Sequence, residues 1–144
     1  MKKICLMAVA VMLLLAMSGC SDFGYNPTGY WVFTSDDLYE NDKMIDSVTG
    51  EDNDFMARMF LIFEKSGTGY MDAAGLKTNL FTYTYEGDTV TLTFLPNEYN
   101  PEEVVSEFRF SQDGKKLIRT KITQEPDSNG DMATYREEYI YSRV

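Results

Sequence analysis

The stretch Phe81-Thr82-Tyr83-Thr84-Tyr85-Glu86-Gly87-Asp88-Thr89-Val90-Thr91-Leu92-Thr93-Phe94 decides the fold. Phe81, Tyr83 and Tyr85 alternate with Thr82 and Thr84, and Val90, Leu92 and Phe94 alternate with Thr89, Thr91 and Thr93. Successive side chains on a strand point to opposite faces, so rings and aliphatics share one face and threonines the other. Two such runs joined by Glu86-Gly87-Asp88 read as a β-hairpin. Both residue types suit a pleated, half-buried surface.

The same grammar extends outward. Downstream, Val104, Ser106, Phe108 and Phe110 share one face, with Glu107 and Arg109 on the other. Gln112-Asp113-Gly114-Lys115 turns the chain, and Ile118, Thr120 and Ile122 alternate with Arg119 and Lys121. A further turn, Asp127-Ser128-Asn129-Gly130-Asp131, leads to a last strand over 134–143, where Tyr135, Tyr139 and Tyr141 share a face. Upstream, Tyr30 to Thr34 forms a first strand and Arg58 to Glu64 a second. Ser66-Gly67-Thr68-Gly69 turns into a short third strand at Tyr70-Met71. Residues 35–54 are acidic and polar. They are expected to be a loop over one end of the sheet, with one helical turn around 37–44.

About eight strands joined mostly by short turns predict an all-β domain over residues 29–144. An antiparallel up-and-down barrel closes such a meander and leaves no exposed edge. Eight strands enclose an interior that side chains fill or that holds one small ligand. There are no internal repeats and no sign of a second domain.

The N-terminus differs in kind. Met1-Lys2-Lys3 is positive, Ile4 to Met17 is apolar, and the run ends in Ser18-Gly19-Cys20. About 14 apolar residues fall short of the roughly 20 that span a bilayer, and the pattern fits a cleaved export signal. Leu15-Ala16-Met17-Ser18-Gly19-Cys20 resembles the lipobox of bacterial lipoproteins. That resemblance implies a signal peptide over 1–19, lipidation of Cys20 and a tether over 20–28. Of the two cysteines, Cys5 leaves with the signal, so no internal disulfide is possible and lipidation accounts for the lone Cys20. Ser21, rather than Asp, follows the cysteine. By the habit of enteric lipoproteins this implies the outer membrane.

Composition narrows the chemistry. Removing residues 1–19 takes Lys2 and Lys3 from the 13 Lys+Arg and none of the 23 Asp+Glu, which leaves a net charge of about −12. Such a chain is a poor partner for nucleic acid, whose binding rests on Lys and Arg neutralising phosphates. It is equally unsuited to anionic lipid heads, so the expected membrane partner is reached through the anchor alone. There is no histidine. That removes the commonest general base and zinc ligand, and every Ser-His or Cys-His pair. The expectation is a non-enzyme without cofactor or metal.

Gly29-Tyr30-Trp31 resembles the G-x-W that opens the first strand of lipocalins. The hairpins of 81–94 and 108–118 are similar to those of lipocalin-like bacterial lipoproteins. The resemblance covers roughly 28–143 and implies a small barrel, in some members with an apolar cavity. It also implies that Trp31 packs at the closed end beneath an Arg from the last strand, Arg143 or Arg136.

The candidate ligand-binding residues are Trp31, Phe81, Tyr83, Tyr85, Phe94, Phe108, Phe110, Tyr139 and Tyr141. Inward rings either line a cavity for an apolar ligand or fill the core. Asp127 to Asp131, with Glu138 at the twelfth position, resembles the start of a calcium loop, but its glycine is fourth rather than sixth, so a polar turn is expected. The acids at 36, 37, 40, 42, 51, 52 and 54 read as a solvated face. Two functions stay open: an anchored barrel holding a small apolar ligand, or a filled barrel docking another envelope protein.

Overall fold

A computed structural model describes residues 25–144, and the expected signal peptide and Cys20 lie outside that range. The described chain forms nine strands: β1 (Gly29–Glu40), β2 (Lys43–Thr49), β3 (Met59–Phe63), β4 (Thr68–Ala73), β5 (Leu76–Glu86), β6 (Thr89–Phe94), β7 (Val104–Phe110), β8 (Lys116–Pro126) and β9 (Met132–Arg143). A single 3-10 turn, Met56–Arg58, precedes β3. All pairings are antiparallel, and β1 pairs with β9, so β1 and β3 through β9 close an eight-stranded barrel. Among the described residues no helix is long and apolar enough to cross a membrane.

Residues 35–54 correct the sequence reading. Residues 35–49 are a strand hairpin rather than a loop with a helical turn, and only 50–54 form the expected loop. β1 runs on to Glu40, and β2 returns beside it. Asn41 and Asp42 make the turn with φ of 47° and 66°. Positive φ at both central residues is the two-residue hairpin geometry that matches strand twist, and Asn and Asp tolerate it best after glycine. Asn41 is held further by its backbone N–H, which donates to the Thr134 carbonyl at 2.8 Å, and by its Oδ1, which accepts from Thr134 N at 3.0 Å. A register shift between Phe33 and Ser35 marks a bulge in β1. Below it β1 pairs with β3 from Gly29 to Val32; above it β2 takes that edge, from Ser35 to Glu40. One wall of the barrel is therefore a taller four-stranded ribbon, β2–β1–β9–β8.

The lower half of the barrel is solid. Trp31, Phe33, Leu61, Phe63, Phe81, Tyr83, Val90, Leu92, Phe108, Phe110, Leu117 and Tyr141 form one buried cluster. Their rings meet edge to face, with centroids 5.2 Å apart for Phe63–Phe81, 5.0 Å for Phe63–Tyr83 and 5.8 Å for Trp31–Phe110. Each such pair contributes about 0.5–1.5 kcal/mol beyond burial. Gly69 makes room for this packing: a Cβ there would sit 2.5 Å from Phe81 Cζ, deep inside contact distance.

The segment before β1 closes the lower end. Tyr25 packs on Phe110 at 5.3 Å, and Pro27 is fully buried. Trp31 Nε1 donates to the Pro27 carbonyl at 2.7 Å. Arg143 lies 4.3 Å above the Trp31 ring and donates to the carbonyls of Asn26, at 2.6 Å, and Thr28, at 3.2 Å. The arginine expected over Trp31 is thus Arg143. Arg136 lies instead on the ribbon, 4.2 Å from the Tyr39 ring and bonded to Glu138 at 2.8 Å.

Candidate functional site

The upper half of the barrel is built differently. β7 and β8 share only two register pairs, Arg109–Ile118 and Phe110–Leu117, both near the lower end. Above them the strands part, while β8 remains paired with β9 from Lys116 to Pro126. The parting leaves a mouth pocket of about 210 Å³. Met71 and Phe94, which pack against the top of the core, form its apolar floor. Asn79 of β5, Ser106 of β7 and Arg119 of β8 bring polar groups to its walls. Asn97, Asn100 and Glu102, from the connection between β6 and β7, make its rim.

Register explains how Arg119 comes to point inward. Phe110 is buried and pairs with Leu117, so Leu117 enters the core and Arg119, two residues on, shares its face. Ile122 shows the other face, at 64% exposure. Arg119 pairs across β9 with Tyr139, whose ring centroid is 5.7 Å from the guanidinium. Tyr139 donates to Glu137 Oε1 at 2.9 Å. Burial, this bond and the nearby Asp36 and Glu137 carboxylates push the Tyr139 phenol up to about 12. Burial likewise pushes Tyr141 up to about 12, against the opposing field of Arg119. Asp36 is raised, first by burial and then by Glu137, Asp37 and Asp46.

The nine residues singled out from sequence separate into three groups. Trp31, Phe81, Tyr83, Phe108, Phe110 and Tyr141 belong to the packed core. Phe94 and Tyr139 lie at its upper boundary, and Phe94 alone of the nine reaches the mouth pocket. Tyr85 was expected to face inward but is 47% exposed. β4 ends opposite Thr82, so no strand on that side covers Tyr85, and its ring stacks on Tyr83 instead, at 6.5 Å and 27°.

Ser106 shares the inward face assigned to Phe108 and Phe110 and is buried. Arg119, Asn79 and the rim residues escaped the sequence reading. The available signal was hairpin register: with Phe110 opposite Leu117 across the turn, the inward residues of β8 are odd-numbered.

The other acidic features are turns and a ribbon. Asp127 Oδ1 accepts from Asn129 N at 2.7 Å and Asp131 N at 3.0 Å, which closes the polar turn between β8 and β9. Asp37 accepts from Ser47 Oγ at 2.6 Å across the β1–β2 hairpin. Among the described residues no three acidic, histidine or cysteine side chains are grouped to hold a metal ion. A second concavity, about 440 Å³, lies on the outer wall between β1, β3 and β4, with Tyr30, Phe60, Tyr70 and Arg58 along it. Comparison with protein-family models, curated proteins and solved structures returned no match.

Proposed function

We propose that this chain is a lipid-anchored envelope protein whose barrel is a non-catalytic binding module, with a small ligand seated in the mouth. The observation that carries the reading is the division of the interior. The lower half is packed with rings, while the upper half keeps a pocket with an apolar floor and polar walls. Ligand sites set apolar lining beside placed polar groups, and this one is the more polar for having four apolar and six polar residues around it. At about 210 Å³ the pocket is smaller than the usual 300–1,000 Å³, so the occupant is compact rather than a long lipid.

The anchor fits this use of the mouth. Tyr25 is docked at the lower end, five residues after Cys20. Five residues reach at most about 18 Å when extended. With Cys20 lipidated, the filled end faces the membrane and the mouth opens away from it.

Two experiments test the reading. Native mass spectrometry of the protein taken directly from its envelope should show a bound small molecule that leaves on gentle activation. A clean protein mass at every activation energy counts against it. Cys20→Ala should move the protein from the membrane to the soluble fraction. Retention in the membrane would remove the anchor from the account.

A second reading has its own support in the outer groove. Tyr30 there is 58% exposed, beside the half-buried Phe60 and Tyr70. Exposed aromatic residues are common anchors of protein interfaces. Loss of a crosslinked envelope partner on Tyr30→Ala, with the mouth unoccupied, would favour docking over ligand binding.

A further inference from the structure

We infer that the mouth pocket is a site for a compact organic carboxylate, bound through Arg119 and Ser106 with its apolar part on Met71 and Phe94. The inference rests on the mouth-binding reading above and adds the class of ligand. Its basis is an unanswered charge. Arg119 is half-buried on the inward face of β8 and lines the pocket. Among the described residues its guanidinium has no hydrogen-bond acceptor and no ion-pair partner, only the Tyr139 ring at 5.7 Å; Arg58 on the outer groove is likewise unpaired but exposed, whereas Arg109 and Arg136 have carboxylate partners and Arg143 has two carbonyls. Ser106 is only 6% exposed, lines the same pocket, and its hydroxyl has no protein partner among the described residues.

The Arg119 guanidinium and the Ser106 hydroxyl are open to the pocket rather than sealed in the core, and a guanidinium offers a planar fork of donors that matches a carboxylate. Both residues line the same open volume. The nearby acids do not answer the charge. Glu137, on the same face of β9, accepts from Tyr139, and neither it nor Asp36 lines the pocket. Glu102 is the one acid among the lining residues and belongs to the rim connection. A single cation faced by a rim carboxylate suits one negative charge better than two, which selects a monocarboxylate. The floor of Met71 and Phe94 then takes a short aliphatic or aromatic tail, within the roughly 210 Å³ available.

The test uses the protein as isolated from cells and three probes of nearly equal shape: para-fluorobenzoate, para-fluorobenzylamine and para-fluorobenzyl alcohol. Binding is read by ligand-observed fluorine NMR. The benzoate should bind with a Kd of about 1 mM or tighter. The alcohol and amine should bind about 10- to 100-fold more weakly, the factor expected from a charge-assisted hydrogen bond. Arg119→Gln should abolish that preference, and Arg119→Lys should restore part of it. Val104 is exposed and lines the same pocket, so Val104→Glu provides a second variant with little bearing on folding. It should weaken the benzoate and not the alcohol. The fluorescence of Trp31 and the melting temperature check that each variant is folded. Equal binding of all three probes, lost with Asn100→Trp at the rim, overturns the carboxylate assignment and leaves the mouth as the binding site. No binding of any probe overturns the carboxylate assignment, and the mouth-binding reading then stands or falls on the native mass spectrum.

Discussion

Gly69→Ala tests whether the lower barrel is packed as tightly as its ring geometry requires. Gly69 is buried on β4, paired with Phe63 on one side and Phe81 on the other. A methyl group there meets the Ile62 carbonyl oxygen and lies 2.5 Å from Phe81 Cζ, where ordinary contact begins near 3.4 Å. The carbonyl is part of the sheet. The ring is hemmed in by Phe63 at 5.2 Å, Phe94 at 5.4 Å and Tyr83 at 6.5 Å. Neither neighbour yields easily, so the cost belongs at the upper end of overpacking, about 3 kcal/mol. Alanine recovers roughly 0.5–1 kcal/mol of backbone entropy. The net loss is about 2 kcal/mol. For a domain of this size that lowers the Tm by about 8 °C. Urea and thermal unfolding, followed by the fluorescence of the single tryptophan, measure it directly. Phe81→Leu removes the ring edge that the methyl strikes. The double variant should therefore recover about 1 kcal/mol relative to the sum of the single changes. A Gly69→Ala protein within about 0.5 kcal/mol of the parent refutes the packing argument, as does additivity within about 0.5 kcal/mol in the cycle.

Arg143→Ala should cost about 1–2 kcal/mol by removing the cation–π contact and two carbonyl bonds, and should shift Trp31 emission to the red as the Pro27 segment loosens. An unchanged spectrum and midpoint would show that the latch is dispensable. Alkaline pH should unfold the barrel. Tyr141 titrates near 10 when unfolded but at about 12 when folded, so its stabilising share is complete below pH 10 and falls away from pH 10 to about 12. Tyr141→Phe should move the alkaline midpoint upward, read by phenolate absorbance together with tryptophan fluorescence; an unmoved midpoint counts against burial as the cause. Asp42→Gly should stabilise the β1–β2 hairpin by about 0.5 kcal/mol, because glycine accepts φ of 66° without strain. A lower denaturation midpoint for that variant would mean that the 3.6 Å contact with Arg136 outweighs the turn.

What could be read from sequence is what is local. The hairpins at 81–94 and 104–122 and the turn into the strand at 134–143 follow from alternation interrupted by glycine-bearing turns, and both signals lie within a few residues of each other. The place of Trp31 beneath an arginine was also legible, as a resemblance carried by Gly29-Tyr30-Trp31, although the choice of Arg143 over Arg136 needed the register of β1 against β9. The ribbon hairpin was missed because Ser35, Asp36, Asp37 and Glu40 look like a solvated loop on composition. They become a strand because β9 and β2 supply hydrogen-bonding ladders on both sides, and Asn41-Asp42 was its local clue. The mouth was beyond local reading altogether. Its shape depends on where β7 and β8 part, and the direction of Arg119 depends on which residue of β8 meets Phe110. Barrel closure joins β1 to β9 across about 100 residues, a pairing for which no short-range pattern exists. Whether inward rings enclose a cavity or fill one was decided by how they interlock, with Gly69 yielding the space for Phe81. A sequence names the residues that face inward, but only their packing in three dimensions determines how much room they leave.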